Sequence, residues 1–302
     1  MKIILIGQGP FGRKVLESLF QRGEDIAGVF SPPGKRGEEM SRFSKQKGIK
    51  LFQPRHVKAP EVHEAFQELK PELVILAFVT DIVPERLLEI PVIGTICYHP
   101  SLLPRHRGAS SINWAIIQAE KKTGLTILWV DKGVDTGPIL IQKEVEIGPD
   151  DTAGSLYFEK LFPMGVEALL EAVDLIKSGK APRIPQDDSV ATYEPPCDDR
   201  VARIDWEKPA PEVYNLVRGC DPQPGAYCMV KGQKLRLFKT RLIDVQQQGV
   251  PGEMTRIGET HLEICLNGGC LKVGSVRPDG GEKIGAAEFA RNRYLEPGML
   301  FE

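Results

Sequence analysis

Short apolar runs alternate with segments of helical spacing through the first half of this chain. The run KIILIG ends at a glycine, and the apolar residues after it, among them Phe11, Val15 and Leu19, repeat every three or four positions. The same alternation returns at EDIAGVFS, IKLF and PELVILAF, each separated by a helical pattern. This order of elements predicts an α/β fold, in which a Rossmann-like, mostly parallel sheet is covered by helices on both faces.

The pattern changes after residue 185. The stretch KAPRIPQDDSVATYEPPCDDRVARIDW, residues 180–206, holds four prolines and many acidic residues and shows no periodicity, which is typical of a linker. From residue 205 a single helical pattern leads into short strands separated by glycine-containing turns, which favours a small β-barrel or sandwich. We therefore predict a catalytic domain over residues 1–185, a linker over 186–204 and a C-terminal domain over 205–302.

Composition excludes several classes of protein. The 302 residues are 41% hydrophobic and 26% charged with a formal charge of −2, so nothing global favours nucleic acid or an anionic membrane as partner. We find neither a membrane-length apolar run nor a signal peptide, and the six cysteines are scattered singly without a CxxC pair. These features predict a cytoplasmic protein with reduced thiols, no membrane partner and no metal.

Three glycines follow the first predicted strand in the pattern G-x-G-x-x-G, at Gly7, Gly9 and Gly12. An NAD site also needs an acidic residue at the end of the second strand, and the nearest one, Asp25, stands at that strand's beginning. Pro10 removes one of the amides that would meet a pyrophosphate. We interpret the glycines as a tight turn from strand to helix, without NAD, although Gln8 can still face a ligand.

Ionisable residues follow two later strands. His99 ends the strand GTICYH, and Asp131 and Asp135 follow LTILWV in a glycine-rich loop. Because open α/β sheets bind ligands at the carboxyl ends of their strands, we expect these residues at one ligand-binding edge. From the residues alone His99 is either a catalyst or a loop hydrogen-bonder. His106 is expected to be exposed, and Arg107 either meets an acceptor, is solvated or ties its loop to the sheet.

The segment HPSLLPRHRGASSINW, followed by DKGVDTGPIL, resembles the signature of the folate-dependent formyltransferase family. The family transfers or releases the formyl group of 10-formyltetrahydrofolate, and it includes methionyl-tRNA formyltransferase, glycinamide ribonucleotide and sugar formyltransferases, and the hydrolase domain of 10-formyltetrahydrofolate dehydrogenase. The motifs LFPMG, GKAPRIPQ, TYE and ARIDW occur in the order of the two-domain members. The resemblance implies a sheet that binds no dinucleotide, followed by a small open β-barrel.

The resemblance also implies a site. His99 would stabilise the oxyanion formed on the formyl carbon, Asp135 would hold the imidazolium, accept a proton or order a water, and Cys97 stands where the transferases carry asparagine. 10-Formyltetrahydrofolate would be the co-substrate, with no metal. The predicted folate-binding residues are Gln8, Phe78, Val79, Thr80, Asp81, Ile82, Asp131, Gly133 and Val134. The predicted acceptor loop comprises Ser101, Leu102, Leu103, Pro104, Arg105 and Gly108.

Two features favour one branch of the family. A thiol at Cys97 is a weak donor, which disfavours efficient transfer to an amine, and the loop SPPGKRGEE lacks the long basic insertion of the tRNA enzymes. The C-terminal domain carries 13 Lys and Arg against 13 Asp and Glu, although its ending AAEFARNRYLEPGMLF resembles that of the tRNA enzyme.

We therefore predict an enzyme most like the hydrolase domain, giving tetrahydrofolate and formate or a formylated small acceptor. Methionyl-tRNA formyltransferase is the alternative, which makes tRNA the less favoured partner. A folate-binding protein with weakened catalysis is the second alternative. The acceptor, whether water, a small amine or Met-tRNA, is not identified by the sequence.

Overall fold

The computed structural model describes residues 1–243 and 249–302. The end of the predicted strand QKLRLFKTRLIDV lies outside the described residues. The chain packs into two compact units, of which the first comprises Met1–Ala109, Gly124–Val145 and Phe158–Glu194 and the second comprises Ser110–Thr123, Glu146–Tyr157 and Pro195–Glu302. The domain boundaries expected at residues 185 and 205 stay a prediction.

A seven-stranded sheet with the order β3-β2-β1-β4-β5-β6-β7 forms the centre of the α/β fold. Strands β1 to β5 run parallel where they pair, and β6 runs antiparallel to β5. The predicted mostly parallel sheet is thus confirmed. The strands are β1 (Lys2–Gly7), β2 (Asp25–Phe30), β3 (Leu51–Phe52), β4 (Leu73–Ala77), β5 (Gly94–His99), β6 (Lys122–Trp129) and β7 (Ile139–Glu146).

The longer helices between residues 9 and 177 bury one apolar face each. Helix α1 buries Phe11, Val15 and Leu19, the residues whose spacing predicted it. After β7, a helical segment begins at a capping box between Thr152 and Ser155, and a π-helical turn at Leu156–Leu161 interrupts it. The helices are α1 (Gly9–Gln21), α2 (Glu38–Lys47), α3 (Pro60–Leu69), α4 (Glu85–Leu88), α5 (Ser111–Ile117), α6 (Ala153–Ser155) and α7 (Phe162–Lys177).

The glycine pattern after β1 serves close packing. A Cβ atom on Gly7 would lie 2.9 Å from the carbonyl oxygen of Ala77 and 3.3 Å from the Cα atom of Gly12. Gly9 has a φ of +61°, which favours a residue without a Cβ atom. The first strand can therefore turn into α1 while lying directly against β4.

The second unit contains an antiparallel sheet in the order β14-β10-β11-β12-β9-β8, with β13 paired to β12. Met229 in β8 and Glu302 exchange backbone hydrogen bonds, which link the two edges of this sheet. The predicted small barrel is thus confirmed as a nearly closed one. Its elements are α8 (Ala210–Gly219), β8 (Tyr227–Val230), β9 (Gln233–Ile243), β10 (Glu253–Ile257), β11 (Leu262–Leu266), β12 (Gly269–Pro278), β13 (Ile284–Gly285), α9 (Ala286–Asn292) and β14 (Met299–Leu300).

Among the residues that the structure describes, no helix combines the length and the apolar character needed to cross a membrane. Within the same ranges, 1–243 and 249–302, no group of three or more His, Cys, Asp or Glu side chains is arranged to hold a metal ion.

Gly7→Ala should lower stability by about 1–3 kcal/mol, because the added methyl group meets a backbone oxygen that cannot move aside freely. Gly9→Ala should cost about 1–2 kcal/mol through left-handed backbone strain, since the space around Gly9 is open. Calorimetric melting temperatures measure both effects, with Gln21→Ala at the exposed end of α1 as the control. A Gly7→Ala protein as stable as the wild type would contradict the packing role.

Candidate functional site

Strand alternation places His99 and Cys97 on one face of β5. His99 is the last residue of the strand and its side chain is buried, with 6% of it exposed. Tyr98, on the opposite face, is part of the hydrophobic core and stacks on Phe11 with ring centroids 4.4 Å apart. The end of β5 is thereby held by core packing on one side while His99 and Cys97 face the loops on the other.

The sheet corrects one step of the sequence reasoning. Because β6 runs antiparallel to β5, Thr126 in the middle of β6 pairs with His99, and Trp129 at the end of β6 pairs with Ile96. The expectation that both strands end at the same edge is therefore wrong. The loop after β6 nevertheless brings Asp135 to His99, with Oδ2 of Asp135 lying 3.5 Å from Nδ1 of His99.

The Asp135 carboxylate is held by the backbone. Its Oδ2 atom accepts a hydrogen bond of 2.8 Å from the N–H of Gly108, and Asp135 itself has a left-handed φ of 56°. The Asp131 carboxylate has different partners, within its own turn. The Oδ1 atom of Asp131 accepts from the N–H of Gly133 at 3.0 Å and from the Thr136 hydroxyl at 2.7 Å. Asp131 therefore stabilises the turn, and Asp135 is left to face His99.

The second nitrogen of His99 is committed to the backbone. Nε2 lies 2.8 Å from the carbonyl oxygen of His106, and since a carbonyl can only accept, Nε2 carries a proton. In the neutral ring Nδ1 is then unprotonated and faces Asp135. The Nδ1 to Oδ2 distance of 3.5 Å is long for a direct hydrogen bond, so a third atom can interact with both.

His106 and Arg107 are both buried. His106 is 2% exposed and its Nδ1 lies 3.2 Å from Oε1 of Glu194, so the expectation of an exposed loop histidine is wrong. Arg107 is 3% exposed and donates to Gln186, Asp188 and Tyr193. Of its three predicted alternatives, the structure thus favours the one in which Arg107 ties its loop to the fold.

Cys97 stays a neutral thiol. Desolvation, and then the negative charge of Asp135, raise the pKa of Cys97 far above its ordinary value. Its Sγ atom lies 3.5 Å from the carbonyl oxygen of Tyr98, its neighbour in the strand. A protonated thiol is a weak donor, so Cys97 offers the site much less hydrogen-bonding capacity than an amide would.

Part of the predicted folate-binding set lines one cavity. Gln8, Phe78, Val79, Thr80 and Asp81 surround a cavity of about 210 Å³, which Arg36, Arg55 and His56 also line. Phe78 directly follows β4, whose Leu76 pairs with Cys97 of β5, so it lies at the same edge of the sheet as His99. Ile82 is 78% exposed and is not among the lining residues.

The remaining three folate-binding candidates, Asp131, Gly133 and Val134, lie on the separate loop after β6. Large apolar side chains are exposed on both loops, with 41% of Phe78 and 46% of Val134 accessible. Exposed apolar side chains beside a polar cleft are typical of a ligand-binding edge. The binding roles of all nine residues stay a prediction.

The predicted acceptor loop divides by burial. Ser101 and Leu103 are buried, and the Ser101 hydroxyl donates to the carbonyl oxygen of Arg105 at 2.7 Å. Leu102, Pro104 and Gly108 are half-buried, and the Arg105 side chain is exposed. The loop's binding role stays a prediction, and Arg105 has the side chain most open to an incoming molecule.

Sequence reasoning missed three residues that contact this site. Gln186, Thr192 and Glu194 lie in or beside the predicted linker, yet they bond to the loops that carry His106, Arg107 and Asp135. The proline-rich, aperiodic composition gave no signal for these contacts. Two family motifs marked parts of the segment as something more than a connection: TYE, at residues 192–194, and the end of GKAPRIPQ, at Gln186.

The chain is similar to known proteins along most of its length. The chain is 40% identical over 305 residues to the cytosolic 10-formyltetrahydrofolate dehydrogenase of Xenopus tropicalis, and the match covers 96% of this chain and 34% of that relative. It is 35% identical over 308 residues to the methionyl-tRNA formyltransferase of Geotalea uraniireducens (strain Rf4), covering 99% of this chain and 97% of the relative. The chain therefore spans about a third of the dehydrogenase and nearly all of the transferase.

Solved structures and family profiles extend the likeness. The structure of HypX from Aquifex aeolicus in complex with tetrahydrofolic acid superposes with a TM-score of 0.73 at 22% identity, over 96% of this chain and 47% of that one. The profile described as formyl transferase matches residues 1–173, and that of the formyl transferase C-terminal domain matches residues 198–294. The chain belongs to the formyl transferase family and is an enzyme of that family.

Proposed function

We propose that this enzyme releases the formyl group of 10-formyltetrahydrofolate, giving tetrahydrofolate and formate or a formylated small acceptor. The observation that carries the proposal is the His99 and Asp135 pair, whose Nδ1 and Oδ2 atoms lie 3.5 Å apart and face the same space. Phe78, a predicted folate-binding residue, follows β4, which pairs with β5 at Leu76 and Cys97. The cytoplasm remains the predicted location.

The geometry supports a specific sequence of proton movements. Because Nε2 is occupied by the His106 carbonyl, Nδ1 is the base that removes a proton from the attacking water or amine. The new bond forms at the formyl carbon, and the carbonyl electrons move onto oxygen as a tetrahedral oxyanion. The resulting imidazolium faces the Asp135 carboxylate, which stabilises its charge. When the bond from carbon to N10 breaks, the same proton passes from Nδ1 to N10.

Water is the acceptor that the residues around Cys97 favour. An amine acceptor must be held and the oxyanion stabilised by strong donors, and loss of one such donor costs about a hundredfold in rate. Cys97 supplies only a neutral thiol. The loop between β2 and α2 is short, and the carbonyl oxygen of Arg36 accepts the N–H of Gly9, which ties that loop to the glycine turn. Little chain remains there to hold a large acceptor.

One observation favours the second candidate, methionyl-tRNA formyltransferase. In the barrel, β9 and β12 pair Arg236 with Arg277 and Arg241 with Lys272, which sets cations side by side across two strands. Such a basic stripe suits phosphates. Its charge is reduced by Asp199, which pairs with Arg236, and by Asp150, which pairs with Arg241. The nearly full-length match to a tRNA enzyme also supports this candidate.

Product analysis with ¹³C-formyl-labelled 10-formyltetrahydrofolate should show labelled formate appearing without any added acceptor. Carbon NMR distinguishes formate from a formylated amine. The same assay is run with and without Met-tRNA, and the His99→Ala protein measures the spontaneous background. Turnover that requires Met-tRNA, with no formate above background, would establish the second candidate instead.

His99→Ala and Asp135→Asn should each lower kcat by about 10²–10⁴-fold, because the first removes the base and the second the charge opposite the imidazolium. Asp135→Asn retains an oxygen that can accept from Gly108, so folding should be preserved. His63→Ala, at a histidine of α3 outside this pair and not among the residues that line the cavity at Gln8 and Phe78, is the control for loss of an imidazole. Tetrahydrofolate binding measured by calorimetry should survive both site substitutions. A His99→Ala protein with the full turnover of the wild type would contradict the proposed mechanism.

Cys97→Asn should raise the rate of formyl transfer to an added small amine severalfold and leave the affinity for tetrahydrofolate unchanged. The asparagine amide is a stronger donor than the thiol and can bond to the oxyanion. Cys97→Ser, which adds only a hydroxyl, is the matched control. If Cys97→Asn gave no gain and lost affinity, Cys97 would be a packing residue rather than the determinant of the acceptor.

A further inference from the structure

Residues 186–194 bond to both loops of the His99 and Asp135 pair. Toward the first loop, Thr192 accepts the His106 N–H at its hydroxyl oxygen at 2.8 Å and the Arg107 N–H at its carbonyl oxygen at 3.0 Å. The Thr192 N–H in turn donates to the carbonyl oxygen of Pro104 at 3.2 Å. Arg107 and Tyr193 also form an isolated parallel β-bridge, so residues 192–193 pair with the loop that carries His106 and Arg107 much as a short strand would.

Toward the second loop, the segment reaches through one amide side chain. Nε2 of Gln186 donates to the carbonyl oxygens of Asp135 at 2.9 Å and Gly137 at 2.7 Å. Oε1 of the same side chain accepts from Nε and a terminal nitrogen of Arg107, at 3.2 Å and 2.8 Å. Gln186 thereby uses both ends of its amide to join the Asp135 loop to the His106 loop.

The backbone that these bonds hold is a strained one. His106 and Asp135 both have left-handed φ values, 57° and 56°, which are unfavourable for residues other than glycine. Such conformations persist when the surroundings determine them strongly. At His106 the surroundings are the Thr192 hydroxyl and the Glu194 carboxylate, whose Oε1 atom lies 3.2 Å from Nδ1 of His106.

The conformation of His106 affects His99 through one atom, the carbonyl oxygen of His106. The His106 carbonyl oxygen accepts the Nε2 proton of His99, so its direction sets both the tautomer and the angle of the imidazole. If His106 turned, Nδ1 would no longer be held as the unprotonated nitrogen facing Asp135. A displacement of about 1 Å in such a group costs about a hundredfold in rate.

We infer that Gln186, Thr192 and Glu194 are positioning residues, which hold His106 and the Asp135 loop so that His99 presents an unprotonated Nδ1 to the carboxylate. This rests on the proposed function for its catalytic meaning. The orientation of the imidazole is a separate physical property, which can be measured in the full chain without substrate.

Thr192→Val removes the hydroxyl that accepts the His106 N–H and keeps the shape of the side chain. We expect kcat to fall by about tenfold to a hundredfold, with tetrahydrofolate affinity near that of the wild type. Thr192→Ser keeps the hydroxyl and should restore kcat. Ser189→Ala, in the same segment, removes a hydroxyl that donates to Asp187; it is the matched control and should behave as wild type. Glu194→Gln and Gln186→Ala provide independent variants if Thr192→Val fails to fold.

The orientation is read by ¹⁵N NMR of histidine-labelled protein, with His99→Ala identifying the signals of His99 among the five histidines. The wild type should show a protonated Nε2 and an unprotonated Nδ1. Thr192→Val should show a mixture of tautomers or a broadened Nε2 proton, and Thr192→Ser the wild-type spectrum.

The outcomes separate the two proposals. A wild type with the expected His99 spectrum but no formyl release would refute the proposed function and leave the positioning inference standing. Folded Thr192→Val, Glu194→Gln and Gln186→Ala proteins with unchanged kcat and unchanged His99 signals would overturn the inference. Reduced kcat with an unchanged His99 spectrum would also overturn it, because the loss would then not act through the imidazole.

Discussion

The hydrogen bond from His99 Nε2 to the carbonyl oxygen of His106 decides which nitrogen of the imidazole faces the site. At 2.8 Å it commits one ring nitrogen as a donor and leaves Nδ1 opposite the Asp135 carboxylate. A histidine held at one nitrogen has a defined tautomer, and a defined tautomer gives a defined direction of proton transfer. The chemistry that we propose depends on this bond as well as on the negative charge of Asp135.

That bond depends in turn on a buried scaffold. On one side, Tyr98 packs into the core beneath His99, where it stacks on Phe11 of α1. On the other, Thr192 and Glu194 fix His106. Networks of this kind are rigid when each polar group has its partner, because an unpaired group in a poorly hydrated interior is costly. The site is therefore precise although much of it lies on loops.

The same scaffold leaves the acceptor open to variation. The relatives of this chain include a dehydrogenase named for 10-formyltetrahydrofolate and an enzyme named for Met-tRNA, at similar identities. A shared fold does not choose between them, since function depends on the groups that surround the reacting atoms. In this chain the neutral thiol of Cys97, two residues before His99, is the group on which our proposal of water as the acceptor rests.

The apolar pattern of the sequence predicted the α/β sheet and a small barrel or sandwich, and the resemblance to the family implied the roles of His99 and Asp135. Apolar periodicity is a local property, so β1, α1 and the glycine turn followed from it, and the motif around His99 marked the family. Only the tertiary structure decided that β6 runs antiparallel to β5, that His106 is buried, and that residues 186–194 bond to both loops. These are contacts between residues distant in the chain, made by side chains such as Gln186 and Thr192 in a segment without periodicity. No local pattern encodes such contacts, because their geometry exists only once the sheet has brought the loops together.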